Sequence, residues 1–188
     1  MAKNDPYLVA IDIGSSKVGI LIGLRDEAGE IEVVGKGSAP HRGARKGNIV
    51  NVEATVAALK QACEEAETMA GMEISRAYVG VAGSDVMSAN FKSMVSVARK
   101  DREITALDVT RALAAAQGSA LPSDREVLHA IPQEFIVDEQ GGIQEPVGML
   151  GSRLEARVHL VTCNQTRRKT LLTCVNKAGI EVVQMVFE

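Results

Sequence analysis

The stretch Asp12-Ile13-Gly14-Ser15-Ser16-Lys17-Val18-Gly19 sets a carboxylate, two hydroxyls and an ammonium around one tight turn. Asp12 sits in an apolar run, Gly14 to Ser16 supplies turn chemistry, and Lys17 opens the next run. In such an arrangement the backbone N–H groups of the turn can point at phosphate oxygens, the Ser15 and Ser16 hydroxyls add donors, and Lys17 adds positive charge. A bare carboxylate beside a polyphosphate would be repelled, so the role that suits Asp12 is to hold Mg²⁺, directly or through a water. The same spelling also makes a good hairpin turn with no ligand, and the local pattern leaves both readings open.

Strands must hold that turn. Tyr7 to Ile13, Lys17 to Leu24 and Ile31 to Lys36 are short apolar runs with short links, which predicts three adjacent strands in a meander. After a basic loop, His41 to Gly47, the residues Val52, Val56, Leu59, Cys63, Ala66 and Ala70 recur at helical spacing. Asn51 can cap that helix and Gly71 can end it. Tyr78 to Ala82 reads as a fourth buried strand.

The texture then changes. Val86 to Ala98 alternates as a strand would, and Thr105 to Gln117 is helical, with Val109, Ala112, Leu113 and Ala116 as its stripe and Thr105 and Asp108 as a capping pair. Glu126 to Val137 and Leu154 to Cys163 are two further strands, separated by a Gly-rich stretch, Glu139 to Ser152, that reads as loop. Asn164 can then cap a helix with the apolar face Leu171, Leu172, Val175 and Ala178, followed by Gly179 and a last strand from Ile180 to Phe187. The pattern predicts an α/β fold: a five-stranded domain with a β-α-β-β subdomain inserted after its fourth strand.

Composition narrows the partners. The only aromatic residues are Phe91, Phe135, Phe187, Tyr7 and Tyr78, and 21 basic residues face 24 acidic ones, which argues against stacking or funnelling a nucleic acid. Cys63, Cys163 and Cys174 follow no framework spacing and read as small buried hydrophobes of a reducing compartment. No apolar run approaches the roughly 18 to 20 residues of a membrane helix, so a soluble, cytoplasmic chain is expected.

The β-β-β-α-β order with its turn between strands one and two resembles the start of the actin-like (ribonuclease H-like) fold, a mixed five-stranded sheet with helices in which this turn is the first of two phosphate loops. More specific stretches are Arg45-Lys46-Gly47-Asn48-Ile49-Val50-Asn51, His129-Ala130-Ile131-Pro132-Gln133-Glu134-Phe135-Ile136-Val137-Asp138, Pro146-Val147-Gly148-Met149 and Gly151-Ser152-Arg153-Leu154-Glu155. With the Asp12 turn, they resemble the FtsA family of bacterial cell-division proteins from about Tyr7 to Glu188.

That resemblance implies an actin-like protein, similar to ATPases, that binds ATP and Mg²⁺, anchors FtsZ to the inner membrane and recruits later division proteins. It divides the chain into an actin-like subdomain, residues 1–83 and 164–188, and an inserted subdomain, residues 84–163, that serves self-association and late partners such as FtsN. The phosphate-loop positions carried over are Asp12, Gly14, Ser15, Ser16 and Lys17, with Asp12 the Mg²⁺ position through a water. Full family members are about twice as long and hold the second phosphate loop, most of the FtsZ-binding surface and a terminal amphipathic membrane helix in the part not present in this sequence. The expectation for the chain by itself is therefore weak or absent ATP binding and no hydrolysis. Full-length members act at the cytoplasmic face of the inner membrane at the division septum. A pilus-assembly actin-like adaptor and an actin-fold small-molecule kinase are the competing readings.

Other candidate sites read as ordinary structure. His159 and Cys163 are too few for a zinc site, and His41 and His129 have no matching spacing. The basic loop from His41 to Lys46 reads as solvated, and the methionines, among them Met69, Met87, Met94 and Met185, as core filler.

Overall fold

The computed structural model describes residues 6–83, 86–99, 101–118 and 121–188. In chain order the elements are β1 (Tyr7–Ile13), β2 (Lys17–Arg25), β3 (Ile31–Pro40), β4 (Ala44–Arg45), β5 (Asn48–Ile49), α1 (Val52–Ala70), β6 (Arg76–Val81), β7 (Met87–Ser96), α2 (Ala106–Gly118), β8 (Arg125–Val137), β9 (Gln140–Ile143), β10 (Arg153–Asn164), α3 (Gln165–Lys177) and β11 (Glu181–Phe187). They form two compact units, one of Met1–Asp85 with Gln165–Glu188 and one of Val86–Asn164.

In the first unit β11, β6, β1, β2 and β3 make one five-stranded sheet in that order. β1 and β2 form an antiparallel hairpin, β3 continues it, and β6 and β11 join in parallel on the other side. The sheet is mixed, as expected for an actin-like fold. Alternation sorts its faces. Val9, Ile11, Val18, Ile20, Ile22 and Val79 are buried, while Ala10, Asp12 and Leu21, on the opposite face, are exposed.

α1 begins where Asn51 accepts the Ala54 N–H at 3.0 Å and ends on Gly71 in the left-handed region at φ 69. Its buried stripe is Thr55, Ala58, Leu59, Ala62, Cys63 and Ala66, so the expected Val52, Val56 and Ala70 lie at the margin. The cause is on β3: a Cβ at Gly35 would come within 2.8 Å of Ala66 O, and one at Gly37 within 2.8 Å of Ala66 N. Helix and strand meet backbone to backbone, and that approach admits only small residues at the contact. β3 also continues past Lys36 through a run of small residues to Pro40, where Lys17 pairs with it.

In the second unit β7, β10, β8 and β9 make a four-stranded antiparallel sheet with α2 on one face. Leu154, Ala156, Val158 and Leu160 of β10 pack with Ala112, Ala116 and Phe135, while Val109 and Leu113 line the edge of that core. The expected capping pair is present: Asp108 accepts the Thr105 N–H at 3.0 Å and the Thr105 hydroxyl at 2.7 Å. These bonds hold the Asp108 carboxyl below the usual carboxylate range. β9 lies inside the stretch expected to be loop, because its Gly-rich sequence carries no strand signal and only pairing with β8 from Phe135 to Val137 defines it. The pairing of β8 with β10 shifts register between Arg157 and Val158, opposite Glu134 and Pro132, so Pro132 sits at a bulge that tolerates its missing N–H.

Candidate functional site

The hairpin of β1 and β2 turns at Gly14-Ser15-Ser16, and Gly14 N–H donates to Lys17 O at 3.0 Å to close it. A Cβ on Gly14 would stand 3.0 Å from Lys17 O, which explains the glycine. From outside the turn, His41 N–H donates to Ser16 O at 2.8 Å, and the His41 imidazole lies with Nδ1 2.7 Å from Gly14 O. Two carbonyls of the turn are thus tied back. Among the described residues, no acceptor is bonded to the backbone N–H of Ser15 or Ser16, and both residues are exposed. Open N–H groups on a rigid turn suit an anion.

Asp12 pairs with Gly19 across the hairpin, so Asp12, Gly19 and Lys17 share the sheet face opposite α1. Asp12 and Lys17 line a groove of about 680 Å³ on that face, together with Tyr78, Lys36 and Glu188. Burial pushes the Glu188 carboxyl above its ordinary value, and the Asp12 charge adds to the shift. A cation near Asp12 would relieve that repulsion. The structure therefore brings all five expected positions, Asp12, Gly14, Ser15, Ser16 and Lys17, to one end of one hairpin.

Sequence reasoning missed the residues that hold this turn. In the basic stretch read as solvated loop, Arg42, Arg45 and Lys46 are exposed as expected, but His41 is buried and residues 44–49 form a small hairpin of β4 and β5, whose turn places Lys46 at φ 51 and Gly47 at φ 76. Gly47 N–H donates to Ser15 Oγ at 2.9 Å, so the hairpin docks on the candidate phosphate turn. The Arg167 guanidinium of α3 donates in turn to the Gly47 carbonyl and lies 3.5 Å from Ala82 O. Burial lowers the Arg167 pKa. His41 itself is 3% exposed, enclosed with Thr55. β3 runs on to Pro40, past Lys36 where its apolar run ends, and that extension sets residue 41 beside Ser16; no local feature of the sequence marks it.

The remaining candidates resolve simply. Among the described residues no cluster of three or more His, Cys, Asp or Glu side chains is arranged as a metal-ligand set. His159 Nδ1 lies 2.7 Å from Asn90 Oδ1, and Cys63, Cys163 and Cys174 are buried and reduced. Met185 is core filler as expected, but Met69 on α1 and Met87 and Met94 on β7 are exposed. Among the described residues no helix is long and apolar enough to cross a membrane.

The fold is that of an actin-like protein. It superposes with a TM-score of 0.64 on a chain of the PilM-PilN type IV pilus biogenesis complex, covering 96% of this chain and 47% of that one at 12% identity, a likeness of fold alone. Residues 83–162 match the SHS2 domain inserted in FTSA. The chain is 44% identical over 186 residues to the cell division protein FtsA of Pseudomonas aeruginosa, 38% identical over 188 residues to that of Neisseria meningitidis, and 35% identical over 186 residues to that of Escherichia coli. Each alignment covers 99% or more of this chain. Over nearly its whole length the chain is similar to FtsA proteins. It spans 44% to 45% of the length of these relatives.

Proposed function

We propose that the chain forms the first wall of a nucleotide cleft in an FtsA-type division protein. Gly14, Ser15, Ser16 and Lys17 hold the phosphates of ATP through backbone N–H groups, hydroxyls and the Lys17 ammonium, and Asp12 holds Mg²⁺ through a water. Bound Mg-ATP supplies a polyanion whose charge the turn and the cation balance. The observation that carries this reading is the pair of open N–H groups at Ser15 and Ser16 on a turn whose Gly14 and Ser16 carbonyls are bonded to His41.

At the level of the cell, the reading is that of the FtsA family: a full-length protein that anchors FtsZ to the inner membrane at the septum and works from the cytoplasmic face. Residues 1–83 and 164–188 serve the cleft, and residues 84–163 serve self-association and late partners such as FtsN. The family resemblance supports these roles. Against the pilus adaptor stands the contrast between 44% identity to an FtsA and 12% to the PilM-PilN chain.

Calorimetric titration of Mg-ATP into the full-length protein tests the cleft. Binding is expected, and Lys17→Ala is expected to weaken it about tenfold or more, by loss of a charge-assisted contact worth ~1.5–3 kcal/mol. Unchanged affinity in that variant would remove the reading. The 188-residue chain alone is expected to bind weakly or not at all, and micromolar binding by it would contradict a cleft that needs a second wall.

A further inference from the structure

We propose that His41 is the positioning residue of the phosphate turn, acting through the Gly14–Ser15 peptide. The inference rests on the nucleotide reading and adds a residue outside the loop that its spelling gave no reason to name. A trans peptide directs its C=O and the following N–H to opposite sides. With the Gly14 carbonyl held 2.7 Å from His41 Nδ1, the Ser15 N–H is turned away from His41, out of the turn, where a phosphate oxygen would sit. The His41 backbone does the same for the next link but one, since its N–H holds Ser16 O at 2.8 Å. One residue therefore fixes two of the turn's carbonyls.

The imidazole is itself fixed. A carbonyl oxygen only accepts, so the bond to Gly14 places a proton on Nδ1. Nε2 lies 2.9 Å from Thr55 Oγ1, and Thr55 Oγ1 lies 2.8 Å from Asn51 O, so the ring is joined to the first turn of α1. A Cβ on Gly43 would lie 2.5 Å from Thr55 Oγ1, 2.7 Å from Asn51 O and 2.8 Å from His41 Nε2. Position 43 must stay bare for this cluster to close. A histidine 3% exposed and bonded through both ring nitrogens has few orientations left, and the turn inherits that rigidity.

The two ring nitrogens allow a test by replacement. The Asn side-chain amide reaches the place of Nδ1, and that of Gln the place of Nε2. In the full-length protein, His41→Asn keeps the donor to Gly14 and is expected to hold Mg-ATP affinity within about threefold of wild type, whereas His41→Gln keeps only the Thr55 contact and is expected to lose about tenfold. Melting temperatures of the two variants are measured alongside, since a purely structural histidine would show no such split between them. Equal affinities for the two folded variants, whether both normal or both weak, would overturn the proposal. If Lys17→Ala weakens binding and His41→Gln does not, the positioning role falls and the nucleotide reading stands. If wild type does not bind, both fall. Nitrogen NMR of the imidazole in the ligand-free protein gives a readout independent of nucleotide and of variant folding: a proton on Nδ1 is expected, and a neutral ring carrying its proton on Nε2 alone would overturn the proposal.

Discussion

The hydroxyl oxygen of Ser15 accepts the backbone N–H of Gly47 at 2.9 Å, so the candidate phosphate turn and the β4–β5 hairpin are one piece. The hydroxyl proton of Ser15 stays available for a ligand. Ser15→Ala should release the hairpin at a cost of about 0.5–1.5 kcal/mol in stability, since a single neutral hydrogen bond is lost. Thermal melting gives the magnitude, and amide exchange should speed up at Gly47 while α1 is unaffected; equal exchange in variant and wild type would show that the bond is idle.

Arg167 extends the same connection, with its guanidinium packed against Gly47 and Gly83. A Cβ at Gly83 would lie 2.8 Å from Arg167 Nη2, and Gly83 has φ +125. Gly83→Ala should therefore destabilise the protein by about 1–3 kcal/mol through backbone strain alone, before any displacement of Arg167. A melting temperature equal to wild type would contradict that backbone conformation.

On the α1 side of the sheet, Gly37 lets β3 touch the helix backbone at Ala62 and Ala66. Gly37→Ala should cost about 1–3 kcal/mol by overpacking, more than Gly19→Ala, where a Cβ meets nothing within 4 Å. Comparing the urea midpoints of these two variants tests the packing, and the reverse order would refute it.

The pH dependence should come in part from Asp108. Its pKa is lowered in the folded state, first by the Thr105 hydroxyl and backbone and then by Arg111. A carboxyl with a depressed folded pKa contributes stability above its unfolded pKa and loses that contribution as pH falls through the folded value. Asp108→Asn should thus be less stable than wild type at neutral pH and converge with it in acid. Parallel stability curves across that range would exclude the capping pair as the source.

The thiols should be slow to react. Burial, then the charges of Glu67 and Glu64, raises the Cys63 pKa to about 11, and burial also raises that of Cys174. Native protein treated with a thiol reagent near pH 8 should be modified only at the rate of unfolding, and rapid labelling of Cys63 would contradict its burial.

Much of this was legible where chemistry is local. Asn51, Gly71, Thr105 and Asp108 announce their helix ends, and the alternation around Val9 and Ile11 announces the sheet. Leu59, Cys63 and Ala66 lie on the buried face of α1 as expected, but Thr55, Ala58 and Ala62 complete it because Gly35 and Gly37 approach the helix there, and helical spacing alone does not show that approach. The five phosphate-turn positions were visible as a local spelling. His41 and Arg167 were not, because their partners lie 27 and 120 residues away and depend on where β3 and α3 end and begin.

In the proposed cleft the backbone N–H groups of Ser15 and Ser16 face the phosphates. Selective ¹⁵N-serine labelling of the full-length protein, followed through a titration with Mg-ATP, tests it directly. The Ser15 and Ser16 amide signals should shift most, and Lys17→Ala should abolish the shifts at the same nucleotide concentration. Saturating Mg-ATP that moves other serines and leaves these two in place would contradict it.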